Sequence, residues 1–466
     1  MPEEIRVVAL FPDENEVRGR HEVGDERTRR GRARERVGAH AEPPAVIAAV
    51  VLVPQRLVGL EVHIGEDSGT APGLRFHSGQ NSQVTETPSR DVAIVLSGGG
   101  INGVLLELGF LERLRESPLW PRVGWIYGTS AGALSGAMAA LDRLDDLEEL
   151  ALGLQPDDVF RPRRVWQFPG GLHDYTLPQT IAERVDGGDD LGSALVASEI
   201  ELVVIATDVS IPLDEDGSRH FELVYAAGST SAETMGKAIL DSAAVSGLVL
   251  PVSIEGVIAT DGGWVRNFPV AHAYRNAEVR AIVGFRYVAS YRPTDTAFLE
   301  RLRERLERFR AVPPVRALLA EVRLAEERAA RGEPAHYAEM IVRLMRVAIA
   351  RNTVLEERLA AERDTSVAEL QRLRDEVISA AVDAAPKRRQ RALRSELEAI
   401  FATAQFPFRH DRHVPSLIVR ATPGDDGIDP TFRGDEPWPE GRKRALIARG
   451  YELTDEALAA NPDFNA

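Results

Sequence analysis

The sequence predicts an α/β protein: a mostly parallel sheet sandwiched by helices, with a helical insertion near the C-terminus. Between residues 91 and 291 short apolar runs alternate with stretches of helical period, as in parallel strands joined by crossover helices. Two successive strand-to-helix junctions carry glycine clusters, Gly98-Gly99-Gly100 with Gly103, then Gly128-Thr129-Ser130-Ala131-Gly132. From about 292 to 413 the sequence becomes almost wholly helix-periodic, and strand-like sequence returns at Val414.

Residues 1–90 differ from the rest and read as an N-terminal extension, partly disordered. Arg18 to Arg36 is rich in Arg, Glu and Gly and has no apolar period. Val46 to Val53 and Leu57 to Ile64 have strand-like composition, and Glu66 to Ser89 resembles a linker. The core is expected over 91–291. Val92 to Leu96 is a continuous apolar run suited to a strand buried on both faces. Val104, Leu108, Leu111 and Leu114 follow at helical spacing, and Ser117-Pro118 ends that helix. Val123 to Tyr127 makes a second buried strand, and the Ala- and Gly-rich helix after Ser130 can lie close to its neighbours. Further strands are expected at Leu202 to Ala206, Val224 to Ala227, Val257 to Thr260 and Val279 to Val283, with a helix over Met235 to Ala244.

The insertion, 292–413, reads as amphipathic helices. Leu302, Leu306 and Phe309 mark the first, and Leu318 and Val322 the second. Ile341, Leu344, Ala348, Leu355 and Leu359 form the apolar seam of a third, and Val367 to Val382 supplies a fourth. Packing of these stripes on the core is the favoured reading. A lid, a dimer interface or peripheral contact with a membrane is the other. Residues 414–460 return to the core through a strand at Val414 to Val419 and a helix over Lys443 to Leu458.

Composition excludes several classes. A net charge of −16 on 466 residues argues against general affinity for nucleic acid. With no cysteine there are no disulfides, no thiolate chemistry and no Cys-based zinc site. No apolar run approaches the roughly 20 residues needed to cross a bilayer, so a cytoplasmic location is the default expectation. No cofactor and no metal are expected: His410 and His413 have a metal-like gap but, beyond Asp411, no carboxylates arranged as in a known motif.

The chemistry is concentrated in three places. A serine hydroxyl needs a base within reach and must project from the sheet on a sharp turn that only small neighbours permit. Gly128 and Gly132 flank Ser130 in this way, after an apolar strand and before a helix. Gly98, Gly99 and Gly100 precede a helix, where free N–H groups and the dipole favour a developing oxyanion. The spacing Gly98-x-Gly100-x-x-Gly103 also fits a dinucleotide turn, but the next strand ends in Tyr127-Gly128-Thr129-Ser130 with no acidic residue. Asp261 follows a strand and precedes Gly262-Gly263, so its carboxylate is expected at the same sheet edge as Ser130. A partly buried carboxylate of raised pKa can take the serine proton directly. His272 would alternatively complete a Ser–Asp–His order.

The ordered set SGGGING, GTSAG and DGG resembles the patatin-like phospholipases, as do the flanking IATDV, SAAVSGLVLPVSIEG and DGGWVRNFPV segments. The resemblance covers about 91–287 and the 414–458 return. It implies a Ser–Asp dyad without histidine acting on acyl esters of lipids. Ser130 would be the nucleophile, Asp261 the base, and the N–H groups of Gly98, Gly99 and Gly100 the oxyanion hole. Asn102 departs from the family's usual Arg or Lys, which makes a neutral or soluble ester more plausible than an anionic head group. A thioesterase or acyltransferase using the same acyl-serine, or a non-catalytic lipid-binding protein of this fold, are the rival functions.

Overall fold

The computed structural model describes residues 89–162, 173–185, 187–210, 221–245, 249, 252–254, 256–288, 296–335, 337–404, 413–422 and 437–464. The expected extension over 1–90, save its last two residues, lies outside them, as does His410.

The chain opens with β1 (Val92–Leu96), α1 (Gly100–Arg115), β2 (Val123–Thr129) and α2 (Ala131–Ala140). Then come α3 (Leu144–Gly153), α4 (Pro156–Val159), a small hairpin of β3 (Phe160–Pro162) and β4 (His173–Tyr175), α5 (Leu177–Arg184) and α6 (Leu191–Val196). The sheet resumes with β5 (Glu201–Asp208) and β6 (Glu222–Ala226), followed by α7 (Ala232–Ser242), β7 (Val252–Ile254) and β8 (Val257–Asp261). Short helices α8 (Gly263–Arg266) and α9 (Val270–Arg275) lead to β9 (Ala281–Tyr287). The helical segment comprises α10 (Thr296–Glu307), α11 (Pro313–Ala330), α12 (Tyr337–Ala384) and α13 (Lys387–Thr403), and the chain closes with β10 (Ser416–Ala421) and α14 (Glu440–Ala460).

The main sheet runs β10-β9-β1-β2-β5-β8-β7, with β6 also paired to β5. From β10 to β5 every pairing is parallel. Beyond β5 the pairings with β6, β8 and β7 are antiparallel. The mostly parallel, helix-covered sheet expected from sequence is therefore present, with an antiparallel flank that apolar runs alone do not disclose.

Both faces of β1 are buried because side chains alternate across a strand. Val92, Ile94 and Leu96 join one core with α1, α2, α3 and α14. Ala93 and Val95 join a second with Phe268, Val270, Ala273 and Ala360 of α12.

The helical segment departs from expectation in two respects. The third and fourth predicted helices are one, α12, of 48 residues and hence about 70 Å long. Residues 360–366 contain neither Pro nor Gly, so nothing interrupts the backbone hydrogen bonds between the two apolar runs. Second, Leu344, Leu355 and Leu359 of the predicted seam are exposed, whereas Thr353, Ala360, Val367, Ile378 and Val382 are buried. Of the residues turned inward, Thr353 accepts a bond from the Asn267 side chain and Ala360 packs in the core of Phe268 and Val270. Glu357 on α12 pairs with Arg286 of β9 and Arg420 of β10, adding a charged tie to the sheet.

Candidate active site

Parallel pairing of β1 with β2 aligns Leu96 with Gly128, so the turns that follow both strands emerge at one sheet edge. On the other side of β2, Thr129 aligns with Ile205 of β5. Asp261, the last residue of β8, pairs with Ala206, the next residue along β5. The carboxylate thus reaches the level of Ser130 even though its strand runs opposite to the one expected.

Ser130 sits at the apex between β2 and α2 with φ 54° and ψ −117°. A non-glycine residue held at positive φ costs on the order of 1–3 kcal/mol and persists only where its surroundings enforce it. Here Ser130 donates its N–H to Ser242 Oγ at 2.8 Å, and Ser242 in turn donates to the Ile205 carbonyl at 2.6 Å. The Ser130 carbonyl accepts from Ala133 N at 3.0 Å as α2 begins. A Cβ at Gly128 would lie 2.2 Å from the Gly132 carbonyl oxygen, and one at Gly132 2.7 Å from that of Leu96. Both flanking glycines are therefore required by close backbone approach.

Asp261 is 5% exposed and Ser130 7%. The Ser130 hydroxyl is near enough to the Asp261 carboxylate to favour its ionised form. Gly263 donates its N–H to Asp261 Oδ1 at 2.6 Å, and the Thr207 hydroxyl donates to the Asp261 carbonyl at 2.7 Å. Burial pushes the Asp261 carboxyl up to about 6, against the lowering effect of those donors from Gly263 and Ser130. At neutral pH the group is ionised, yet basic enough to accept a proton.

The glycine turn lies against Ser130: a Cβ on Gly98 would come within 3.1 Å of the serine Cβ. Its amides divide. Gly98 donates to the Asn267 carbonyl at 3.0 Å, which removes it from the three oxyanion donors expected from sequence. Among the described residues the N–H groups of Gly99 and Gly100 have no acceptor, nor does that of Ala131 immediately after the serine. The Asn267 side chain fastens the same turn, donating Nδ2 to the Gly98 carbonyl at 3.3 Å and to Thr353 Oγ1 of α12 at 2.8 Å. Asn352 Nδ2 donates to the Trp264 carbonyl at 2.6 Å, so α12 braces the segment after Asp261 twice. Thr353 itself is 0% exposed.

His272 is engaged elsewhere. Its Nε2 lies 2.8 Å from Glu222 Oε1, and Arg266 bonds the same carboxylate from Nε at 2.5 Å and also pairs with Glu356 of α12. Burial alone would raise Glu222, but His272 and Arg266 outweigh it and hold the carboxyl down at about 2. A second buried carboxyl stands beside Ser242: burial pushes Asp241 up to about 7, with Lys237 opposing. Asn102 is buried within α1 and so contributes no exposed recognition group. A cavity of about 440 Å³ bordered by Phe268, Val270, Glu357, Ala360, Ile418 and Arg420 includes neither Ser130 nor Asp261. His413 Nε2 is 3.1 Å from Asp364, and no metal-holding cluster occurs among the described residues.

Sequence reasoning singled out the serine, the aspartate and the glycines. It missed Asp241 and Thr353, whose positions follow from packing between distant segments, and it quoted Ser242 and Asn267 only within flanking matches.

A serine on a strained strand–turn–helix apex, with a buried carboxylate nearby, has the geometry of a nucleophile elbow on an α/β sheet. Residues 94–274 match the family model for patatin-like phospholipase. Curated relatives include "Lysophospholipase nte1" of Aspergillus terreus and "Lysophospholipase NTE1" of Pyricularia oryzae, each 26% identical over 186 residues. Those alignments cover 39% of this chain and 11% of each relative. Among solved structures, VipD from Legionella pneumophila aligns with a TM-score of 0.33 at 12% identity, over 80% of this chain and 67% of that one.

Proposed function

We propose that this chain is a serine acyl hydrolase of lipid esters, of phospholipase A or lysophospholipase type, acting through Ser130 and Asp261. The observation that carries the reading is a serine held at positive φ beside a buried carboxylate that burial raises to about 6. Asp261 takes the hydroxyl proton as Ser130 Oγ attacks the ester carbonyl. The N–H groups of Gly99, Gly100 and Ala131, unused by the fold, face the negative charge that develops on the carbonyl oxygen, each worth about 3 kcal/mol in such sites. Asp261 returns the proton to the departing alcohol and leaves an acyl-serine. Water, deprotonated by the same carboxylate, then attacks this intermediate and releases the fatty acid. His272, engaged by Glu222, is not needed for this proton transfer.

The family match and the named relatives support lipid esters as substrates. The test is hydrolysis of lysophosphatidylcholine, phosphatidylcholine and p-nitrophenyl esters by the wild type and Ser130→Ala. Turnover is expected to vanish with the serine while the melting curve is retained. Equal hydrolysis by the variant overturns the proposal.

A further inference from the structure

The helices α10 and α11 form an antiparallel hairpin. Arg303 pairs with Glu326 at 3.0 Å and Glu307 with Arg323 at 2.5 Å, so numbers rise along one helix as they fall along the other. Leu299, Ala325 and Ala335 pack together away from the tip. The tip is a tight turn, with Phe309 N donating to the Leu306 carbonyl at 2.9 Å and Val312 N to the Phe309 carbonyl at 2.9 Å.

From Arg308 to Leu318 the sequence is RFRAVPPVRAL: three arginines and no acidic residue, in a chain whose net charge is −16. Arg308, Arg310 and Arg316 are exposed, and none has an ion pair among the described residues. Two arginines lower in the same hairpin do, Arg303 and Arg323, each with a glutamate across it. Between these cations Phe309 is 61% exposed and Val312 46%, and just beyond them Leu318 is 48% exposed.

A lone exposed apolar side chain is ordinary, but three of them beside three guanidiniums with no ion pair among the described residues, at the end of a hairpin, ask for one kind of surface. It must accept apolar groups to shallow depth and offer negative charge around them. The boundary of an anionic bilayer does both, taking rings and aliphatic groups at the acyl level while arginine stems reach back to phosphates. We propose that the 308–318 tip docks the protein on an anionic lipid surface. The inference rests on the lipid-ester reading for its purpose, since an enzyme whose substrates lie in a bilayer gains by being held there.

The test is co-sedimentation of the full chain with phosphatidylcholine vesicles, with and without phosphatidylserine, at low and high salt. The wild type is expected to prefer the anionic vesicles and to be released by salt. Neutralising three arginines at a membrane surface weakens partition on the order of 100-fold, and R308E/R310E/R316E should lose at least that much. F309S/V312S should lose on the order of 10-fold. Ser130→Ala should bind as the wild type does, and every tip variant should keep its melting temperature and its hydrolysis of a soluble short-chain p-nitrophenyl ester. Docking without any ester hydrolysis sinks the enzymatic reading alone. Indifference of the wild type to phosphatidylserine, unchanged binding by the tip variants, or a dimer that dissolves on tip substitution overturns the docking proposal.

Discussion

Replacing Asp261 by Asn should abolish turnover and at the same time make the folded protein more stable. The buried carboxyl has its pKa raised from 3.8 to about 6. With a folded value above the unfolded one, the native state binds the proton more tightly. The group costs nothing at a pH below both values, and the penalty grows as pH rises from about 4 to 6 and is complete above that range. About two units at roughly 1.4 kcal/mol each give a penalty of about 3 kcal/mol at pH 8. Asn cannot ionise, keeps an oxygen for the 2.6 Å bond from Gly263 N–H, and so removes the penalty without opening a hole. For a folded body of this size the gain corresponds to about 4 °C in melting temperature. Urea and thermal melts of both proteins at about pH 4 and 8 read it directly; Asp241 and Glu107, whose pKa values burial also raises, titrate in both and cancel in the difference. Hydrolysis should fall about 10³-fold at the same time. A variant no more stable at the higher pH, or equally stabilised at both, would refute the reasoning.

The same ionisation predicts an acid limb in the wild-type rate, with kcat/KM falling below about pH 6 as Asp261 is protonated; a pH–rate profile flat down to 4 contradicts it. Thr353→Val leaves Asn267 Nδ2 with only its 3.3 Å bond to the glycine turn, and should lower kcat about 10-fold with little change in KM. Thr353→Ser should restore the rate, which a general loss of packing would not allow. His272→Ala should leave turnover unchanged and cost about 1 kcal/mol of stability through the lost bond to Glu222; a collapse of kcat on soluble esters would reinstate a histidine in the mechanism.

The fold was readable from sequence where each segment carries its own signal. An apolar run at Val92 to Leu96 and the helix-spaced leucines after it identify their elements without help from the rest of the chain. The Ser130 turn was equally plain, because glycines two residues either side of a serine, between strand and helix, answer a local steric demand. Strand direction is different. β8 looks like β1 in composition, and only its pairing with β5 shows that it runs the other way. The same limit hid the roles of Ser242 and Thr353, ordinary hydroxyl residues whose importance lies in what packs beside them. It also misjudged the first half of α12: leucines at helical spacing pointed to a buried seam, while Thr353 and Ala360 are the residues buried there. Gly98 was read as a donor from its place in the turn, and its acceptor lies 169 residues away at Asn267.

The account stands or falls on whether the hydroxyl at 130 becomes acylated. Incubating the purified protein with a fluorophosphonate and mapping the adduct by peptide mass spectrometry measures this directly. The expected result is one modification, on Ser130, slowed about 10³-fold in Asp261→Asn and absent in Ser130→Ala. No adduct in the wild type, or an adduct at another residue that persists in Ser130→Ala, contradicts the account.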